Sequence, residues 1–137
     1  MMQIDETHDP ARTSWVSSAN GHADFAIQNL PVGVFSPPGS TEKRGGIAIG
    51  DMIMDLASAA EAGLFAGAAR DAAEAAASGS LNGFFALGEK ARQALRTRAS
   101  QLLDAKVADS ERMAGFRDRL LHRAVDCVMH LPARIGD

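Results

Sequence analysis

Apolar and polar positions along this chain follow a strand pattern first and a helical pattern afterwards. Within residues 23–56, Ile47-Ala48-Ile49 and Met52-Ile53-Met54 flank the pair Gly50-Asp51, which predicts a β-hairpin with a two-residue turn. In that register Ile49 pairs with Met52, and Ile47 pairs with Met54. Cross-strand pairs share a face of the hairpin. The pattern therefore predicts one apolar face made of Ile47, Ile49, Met52, Met54 and Leu56.

A second strand precedes this hairpin. Residues 30–35 predict a short strand that begins at Pro31, because proline has no N–H to donate to a ladder. Gly33 inside this stretch indicates a bulge or a close approach of another backbone. Residues 36–46 are rich in proline and glycine and end in Gly45-Gly46, which predicts a loop.

Residues 57–127 predict helices. Alanine is dense from 57 to 77 and is interrupted by Gly63 and Gly67, which favours two short helices over a single long one. Ser80 is a candidate N-cap for a helix that turns Phe84 and Phe85 inward. Two further helices, from Glu89 and from about Asp109, are indicated by apolar stripes: Ala91, Leu95, Ala99, Leu102 and Leu103 in the first, and Met113, Phe116, Leu120 and Ala124 in the second.

Strands followed by helices predict an α+β fold, a small barrel or sheet with helices on one side. Residues 1–22 are polar and predict an N-terminal arm, of which Trp15 and Val16 dock on the body, with Trp15 as a packing anchor. The length of 137 residues fits one domain. Because alanine carries much of the 46% apolar content, we expect a thin core.

Charge is distributed unevenly along the chain. The net charge is −3, with 4 Lys/Arg against 10 Asp/Glu in residues 1–87 and 10 against 7 in residues 88–137. Six arginines of the basic part are interleaved with acids and have no aromatic stacking partners among them, which favours a solvated helix face or a domain interface over nucleic-acid binding. These arginines are Arg92, Arg96, Arg98, Arg117, Arg119 and Arg123.

The cysteine count and hydropathy bear on the compartment. The single cysteine, Cys127, excludes an intramolecular disulfide and fits a reducing environment; between Val125 and Val128 it is expected to be a small buried hydrophobe. No signal-peptide pattern and no apolar run long enough for a membrane span is present. We expect a cytoplasmic protein that binds neither nucleic acid nor membrane.

Residues that could carry chemistry are sparse. Residues 45–50 form a glycine-rich stretch, but it leads from strand to strand, whereas a phosphate-binding loop leads from strand to helix. His8, His22, His122 and His130 are too dispersed for a metal pattern. We expect His122 to be solvated on a helix face and His130 to make a structural hydrogen bond. The sequence thus predicts no catalytic, substrate-binding or metal-ligating residue in this chain.

Two strings resemble fumarylacetoacetase: Asn29-Leu30-Pro31-Val32-Gly33-Val34-Phe35 and Met129-His130-Leu131-Pro132-Ala133-Arg134-Ile135-Gly136-Asp137. Shorter matches lie at residues 14–16, 46–51, 54–56, 81–82 and 87–88. The resemblance implies the family's N-terminal domain, a small SH3-like (Src-homology-3) β-barrel with several accompanying α-helices. It also implies an arm over 1–22, the domain over 23–128, and a linker over 129–137 toward a C-terminal catalytic domain.

The resemblance further implies what full-length members do. They hydrolyse 4-fumarylacetoacetate to fumarate and acetoacetate in tyrosine catabolism, with Ca²⁺ or Mg²⁺ as cofactor, and are expected to be homodimers. The family's first metal ligand lies in a Tyr-Thr-Asp-Phe-Tyr string that follows Ile-Gly-Asp. Asp137 belongs to the Ile-Gly-Asp string and is assigned no metal, so we expect this chain to contain no cofactor and to be inactive alone.

Two hypotheses remain from different classes. In the first, the chain is the structural or regulatory domain of this carbon–carbon hydrolase. In the second, it is a free-standing, non-catalytic protein-interaction module derived from that domain. Nucleic-acid binding is a weaker third hypothesis. Since Leu121, Val125, Val128 and Leu131 exceed what one helix stripe can bury, we expect an exposed contact surface near them.

Overall fold

One antiparallel sheet organises the part of the chain that is described. The computed structural model describes residues 12–20, 25–28, 30–77, 82–105, 115 and 117–130. The sheet has five strands in the order β4-β3-β2-β1-β5. Their bounds are β1 Val32–Ser36, β2 Arg44–Ile49, β3 Met52–Asp55, β4 Leu121–Arg123 and β5 Val128–Met129. The α+β prediction is confirmed.

The predicted hairpin is confirmed in its register. Ile49 pairs with Met52 and Ile47 with Met54 across the turn at Gly50-Asp51. Gly50 has a φ of 57°, a conformation that favours glycine. A side chain there would also collide with Ser18 and Ala19, which belong to a 3₁₀ turn over Ser17–Ala19. The 3₁₀ turn of the N-terminal segment therefore packs directly against the hairpin turn.

The edges of the first two strands differ from the prediction. Strand β1 begins at Val32 rather than Pro31 and runs to Ser36. Strand β2 begins at Arg44, so the loop predicted over residues 36–46 is wrong for Ser36 at one end and for Arg44, Gly45 and Gly46 at the other. A Cβ on Gly45 would overlap the carbonyl of Ala76, and one on Gly46 would overlap the ring of Phe35. These glycines lie inside a strand and allow neighbouring groups to approach closely. Their composition alone predicts a loop.

Helices cover one face of the sheet. Their bounds are α1 Leu56–Glu61, α2 Gly67–Ala77, α3 Asn82–Ala86, α4 Glu89–Leu103 and α5 Arg117–Leu120. The two short helices predicted around Gly63 and Gly67 are confirmed as α1 and α2. Ser80, the candidate cap, lies outside the described residues. Phe84 is buried, whereas Phe85 is only half-buried and packs edge-on against it.

The helix predicted through residue 127 is wrong beyond Leu120. Residues Leu121–Arg123 form strand β4, and Ala124–Asp126 form a 3₁₀ turn. Met113 and Phe116 of the predicted stripe lie outside the described residues. Strand β4 pairs with β3, placing Leu121 opposite Met54. Backbone hydrogen bonds to β3 and the burial of Leu121 favour a strand here more strongly than the spacing of apolar residues favours a helix. Tertiary context often outweighs local pattern in this way.

The core lies between the sheet and the helices and relies on small side chains. Four alanines of α2 are fully or almost fully buried, and α2 packs against α1, α4 and β2. Their small size lets the helix backbone approach the sheet closely, as the Gly45 contact also requires. The buried alanines are Ala69, Ala72, Ala73 and Ala76. Alanine side chains therefore make up the part of the core that α2 contributes.

Helix α4 also contributes buried side chains to the core. Leu95, Ala99, Leu102 and Leu103 are buried along it, as the stripe predicts. The predicted docking of the arm is confirmed by Trp15, whose Nε1 donates a hydrogen bond to the carbonyl of Leu102 at 2.8 Å.

Arginines on α4 also connect it to neighbouring segments. Arg92 donates to the carbonyl of Phe85 and Arg98 to that of Leu64, while Arg96 donates to the carbonyl of Gln28. These three side chains therefore bind backbone carbonyls of neighbouring segments, and the expected solvated helix face is wrong for them. In the ranges that the structure covers, no helix has the length and apolar content that crossing a membrane requires.

The hairpin register yields a stability test. Ile49 is 0% exposed, whereas its neighbour Ala48 is half-buried on the other face. Ile49→Asp places an unpaired carboxylate in the core and should lower the free energy of unfolding by about 3 kcal/mol or more. Ala48→Asp should cost less. Circular-dichroism melts of both variants measure the difference; equal losses would contradict the assignment of faces.

Candidate functional site

The sheet has a second face, away from the helices, that carries an apolar groove. Phe35 and Ile53 are buried on this face at 1% and 3% exposure, so the hairpin has apolar residues on both sides. The groove has a volume of about 230 Å³. It is lined by Phe25, Pro31, Val32, Gly33, Phe35, Gly46, Ala48, Ile53, Met129 and His130. A concave apolar surface of this kind is a candidate for contact with another apolar side chain.

A buried carboxylate lies at the end of this face. Asp55 is 1% exposed and is the last residue of strand β3, directly before helix α1. Its Oδ1 accepts hydrogen bonds from the backbone N–H groups of Ala57 at 3.1 Å and Ser58 at 3.4 Å. These contacts make Asp55 the N-cap of α1, where a carboxylate satisfies free N–H groups and favours the positive end of the helix.

The other oxygen of Asp55 joins two strands. Oδ2 accepts from Arg44 Nη1 of β2 at 2.8 Å and from His122 Nε2 of β4 at 3.1 Å. Partial burial opposes the charge on Arg44, but the hydrogen bonds to Asp55 and Glu42 outweigh that effect and raise the Arg44 pKa. One carboxylate thus ties β2, β4 and α1 together. We call Asp55, Arg44 and His122 the Asp55 cluster.

The expectation that His122 is a solvated helix residue is wrong. Its backbone lies in β4 opposite Ile53, and its ring lies 5.6 Å from that of Phe35, between centroids. The ring therefore packs against an apolar wall while its Nε2 reaches the buried carboxylate. The helix predicted for residues 121–123 did not reveal this arrangement, because it is the pairing of β4 with β3 that sets His122 opposite Ile53 and within reach of Asp55.

His130 makes the structural hydrogen bond that was predicted. Its Nε2 and Ser36 Oγ are 2.9 Å apart and joined by a hydrogen bond. Its backbone N–H donates to the carbonyl of Val34 at 3.0 Å. His130 therefore fixes the last described residues to the edge of β1, at the rim of the groove.

Cys127 is half-buried rather than fully buried. Its Sγ donates to the carbonyl of Arg123 at 3.4 Å. Burial raises the pKa of the thiol, and the negative charges of Asp126 and Asp55 raise it further. A raised pKa leaves less thiolate at neutral pH, so the surroundings of Cys127 do not activate it as a nucleophile.

The expected exposed surface is present in part. Val125 and Val128 are 79% and 60% exposed, and Met129 beside them is 55% exposed. Leu121, which was expected to join them, is buried at 5% exposure because it packs on the core face of β4. Leu131 lies outside the described residues. The surface therefore follows the 3₁₀ turn and β5, next to the groove.

The contacts of Asp55 serve the fold. All four donors around Asp55 are directed at its two oxygens, which leaves this carboxylate engaged in structural contacts. Among the residues described, no group of three His, Cys, Asp or Glu side chains is placed to hold a metal ion. The sequence did not predict the Asp55 cluster, although Asp55 before Leu56-Ala57-Ser58 carries the N-cap signature that could have drawn attention to it.

Comparisons with known proteins agree with the resemblance. Residues 28–132 match the family model described as "Fumarylacetoacetase N-terminal". The fumarylacetoacetase of Caenorhabditis elegans is 42% identical over 117 residues, which are 85% of this chain and 28% of that protein. The fumarylacetoacetase of Mus musculus is 39% identical over 116 residues, 84% of this chain and 27% of that protein. The chain thus spans little more than a quarter of the length of these curated relatives.

The Asp55 cluster generates a prediction. Asp55→Ala removes the helix cap and leaves Arg44 and His122 without their shared acceptor, so we expect it to lower the free energy of unfolding by about 3 kcal/mol. Glu74→Ala is the control, because it removes an exposed ion pair with Arg70 on α2. Urea denaturation should show a large loss for the first variant and almost none for the second. A similar small change in both would contradict the role assigned to Asp55.

Proposed function

The chain belongs to the fumarylacetoacetase family, and on that premise we propose that it is the non-catalytic N-terminal domain of a hydrolase that cleaves 4-fumarylacetoacetate. The observation that carries this proposal is the match of residues 28–132 to the N-terminal family model. The relatives that bear the family name are longer, and this chain corresponds to 28% of the nematode protein. The reaction, which yields fumarate and acetoacetate in tyrosine catabolism, is assigned to the remainder of such a protein.

The role proposed for this domain is structural or regulatory. Its support is that Asp55, the most buried ionisable group among the described residues, is engaged in holding β2, β4 and α1 together. The proposed fold is an SH3-like barrel, supported by the five antiparallel strands and their linear order. The described residues do not offer the clustered oxygen ligands that Ca²⁺ or Mg²⁺ needs.

The proposed partners are a C-terminal catalytic domain and a second copy of the full-length protein. The exposed Val125, Val128 and Met129 support a contact surface of this kind. A cytoplasmic location is proposed with them, supported by the lone Cys127. The same exposed side chains also favour the second candidate, a free-standing interaction module.

A chimaera tests the proposed function. The N-terminal part of mouse fumarylacetoacetase that aligns with this chain is replaced by it, and hydrolysis of 4-fumarylacetoacetate is followed by loss of substrate absorbance. We expect the chimaera to keep kcat/KM within roughly tenfold of the mouse protein, a change of about 1.4 kcal/mol in transition-state stabilisation. The chain alone should show no turnover. Turnover by the chain alone, or a folded chimaera without activity, would contradict the proposal.

Association separates the domain from the free-standing module. If the exposed side chains near β5 normally contact a catalytic domain, the chain alone should self-associate, while the chimaera should behave as a defined oligomer. Light scattering across a concentration series measures both. The paired replacement Val125→Ser and Val128→Ser should reduce association of the chain alone. A strictly monomeric, heat-stable chain would favour the free-standing module.

A further inference from the structure

The outer edge of strand β5 is formed by the backbone of Met129. Strand β5 is the last strand in the sheet order, and Met129 lies opposite Phe35 of β1. The next residue, His130, donates its N–H to the carbonyl of Val34 at 3.0 Å. Because hydrogen-bonded and non-hydrogen-bonded pairs alternate along an antiparallel ladder, Met129 and Phe35 form a non-hydrogen-bonded pair. The N–H and C=O of Met129 therefore point away from β1, and within the described residues they make no hydrogen bond.

The side chains around this edge are apolar and exposed. Val128 is 60% exposed and Met129 is 55% exposed, and residues 127–130 include no charged side chain. The charged residue before them, Asp126, lies 3.9 Å from Arg123 in an ion pair. Natural sheet edges are usually protected by lysine, proline or a bulge, and an edge without these devices is a template for another strand. The edge of β5 is therefore suited to strand pairing.

Strand β5 is complementary to itself about this residue. A two-fold axis beside Met129 sets it opposite Met129 of a second copy, so the two residues exchange both N–H···O=C bonds as a hydrogen-bonded pair. The same axis sets Val128 opposite His130 of the second copy. Met129 also lines the groove, so the two grooves would meet at the axis and the methionine side chains would bury apolar surface against each other. One residue thus satisfies the outward backbone groups of both copies, as a symmetric interface requires.

We propose that the edge of β5 is a docking surface for a second copy of this chain, through antiparallel pairing of the two β5 strands about Met129. The pairing stands on the register of β1 and β5 and on the exposed side chains. Only its occurrence in a full-length hydrolase rests on the proposed function, where a second copy is a proposed partner. Two short strands bury less than about 1,200 Å² in total, so the dimer is weak and reversible.

A disulfide between two copies tests the pairing. In a hydrogen-bonded antiparallel pair the Cα atoms lie about 5.5 Å apart, within the range that a disulfide spans. In a Cys127→Ser background, Met129→Cys places the two thiols at this distance. Val128→Cys is the matched control, because the two copies of residue 128 are diagonal neighbours about 7–8 Å apart. In glutathione buffers, the linked dimer of Met129→Cys should form with an equilibrium constant at least about tenfold larger than that of the control.

A proline substitution tests the backbone contact without a cross-link. Met129→Pro removes the outward N–H, and it leaves the bond from His130 to Val34 in place because Met129 donates nothing to β1. Met129→Ala is the control, since it also removes the side chain but keeps the N–H. Sedimentation equilibrium should give a dimer Kd at least about tenfold higher for Met129→Pro than for Met129→Ala, because both symmetric hydrogen bonds are lost. Circular dichroism checks that both variants fold.

Three outcomes would overturn the proposal. Equal equilibrium constants for Met129→Cys and Val128→Cys would mean that the copies associate without this register. A chain that stays monomeric, with no linked dimer of Met129→Cys, would mean that a second copy does not dock at this edge. Equal Kd values for Met129→Pro and Met129→Ala would mean that the backbone of β5 takes no part. If Met129→Pro does not fold, the disulfide comparison decides alone. Neither experiment depends on hydrolase activity, so its failure would leave the proposed function to be judged by the chimaera.

Discussion

The two oxygens of Asp55 are the point on which the described structure depends. Oδ1 caps helix α1, and Oδ2 binds Arg44 of β2 and His122 of β4. Strand β4 lies far along the chain from β3, so its pairing costs chain entropy that local contacts do not repay. A buried carboxylate with charged and backbone donors is stabilising only when every donor is in place, and removing one partner is costly. The Asp55 cluster therefore couples the pairing of β4 with β3 to the formation of the first turn of helix α1.

Division of the sheet into two unlike faces follows from this arrangement. The helices cover the face of Ile47, Ile49 and Met54, and small alanines on α2 allow close approach. The other face carries Phe35, which packs against the His122 ring, and Ile53, and it has the groove. Such a face suits contact with another apolar surface.

Local pattern was sufficient where neighbours in sequence are neighbours in space. The hairpin register, the break between α1 and α2, and the buried stripe of α4 were all predicted correctly, since each depends on turn chemistry or helical period. Gly45 and Gly46 were misplaced because their cause is a close approach of Ala76 and Phe35, which composition cannot reveal. Residues 121–127 were misassigned because pairing with β3 decides their conformation. For the same reason the Asp55 cluster escaped prediction: its members come from β2, β3 and β4.

The central claim is that Asp55 couples its partners energetically, and a double-mutant cycle measures that coupling directly. Asp55→Asn, His122→Gln and the double variant are unfolded in urea together with the native chain. If the two side chains act as one unit, the losses in free energy of unfolding should be non-additive by about 1 kcal/mol or more, as for directly contacting residues. Losses that add to within about 0.3 kcal/mol would mean independent roles, and would contradict a structure organised around this carboxylate.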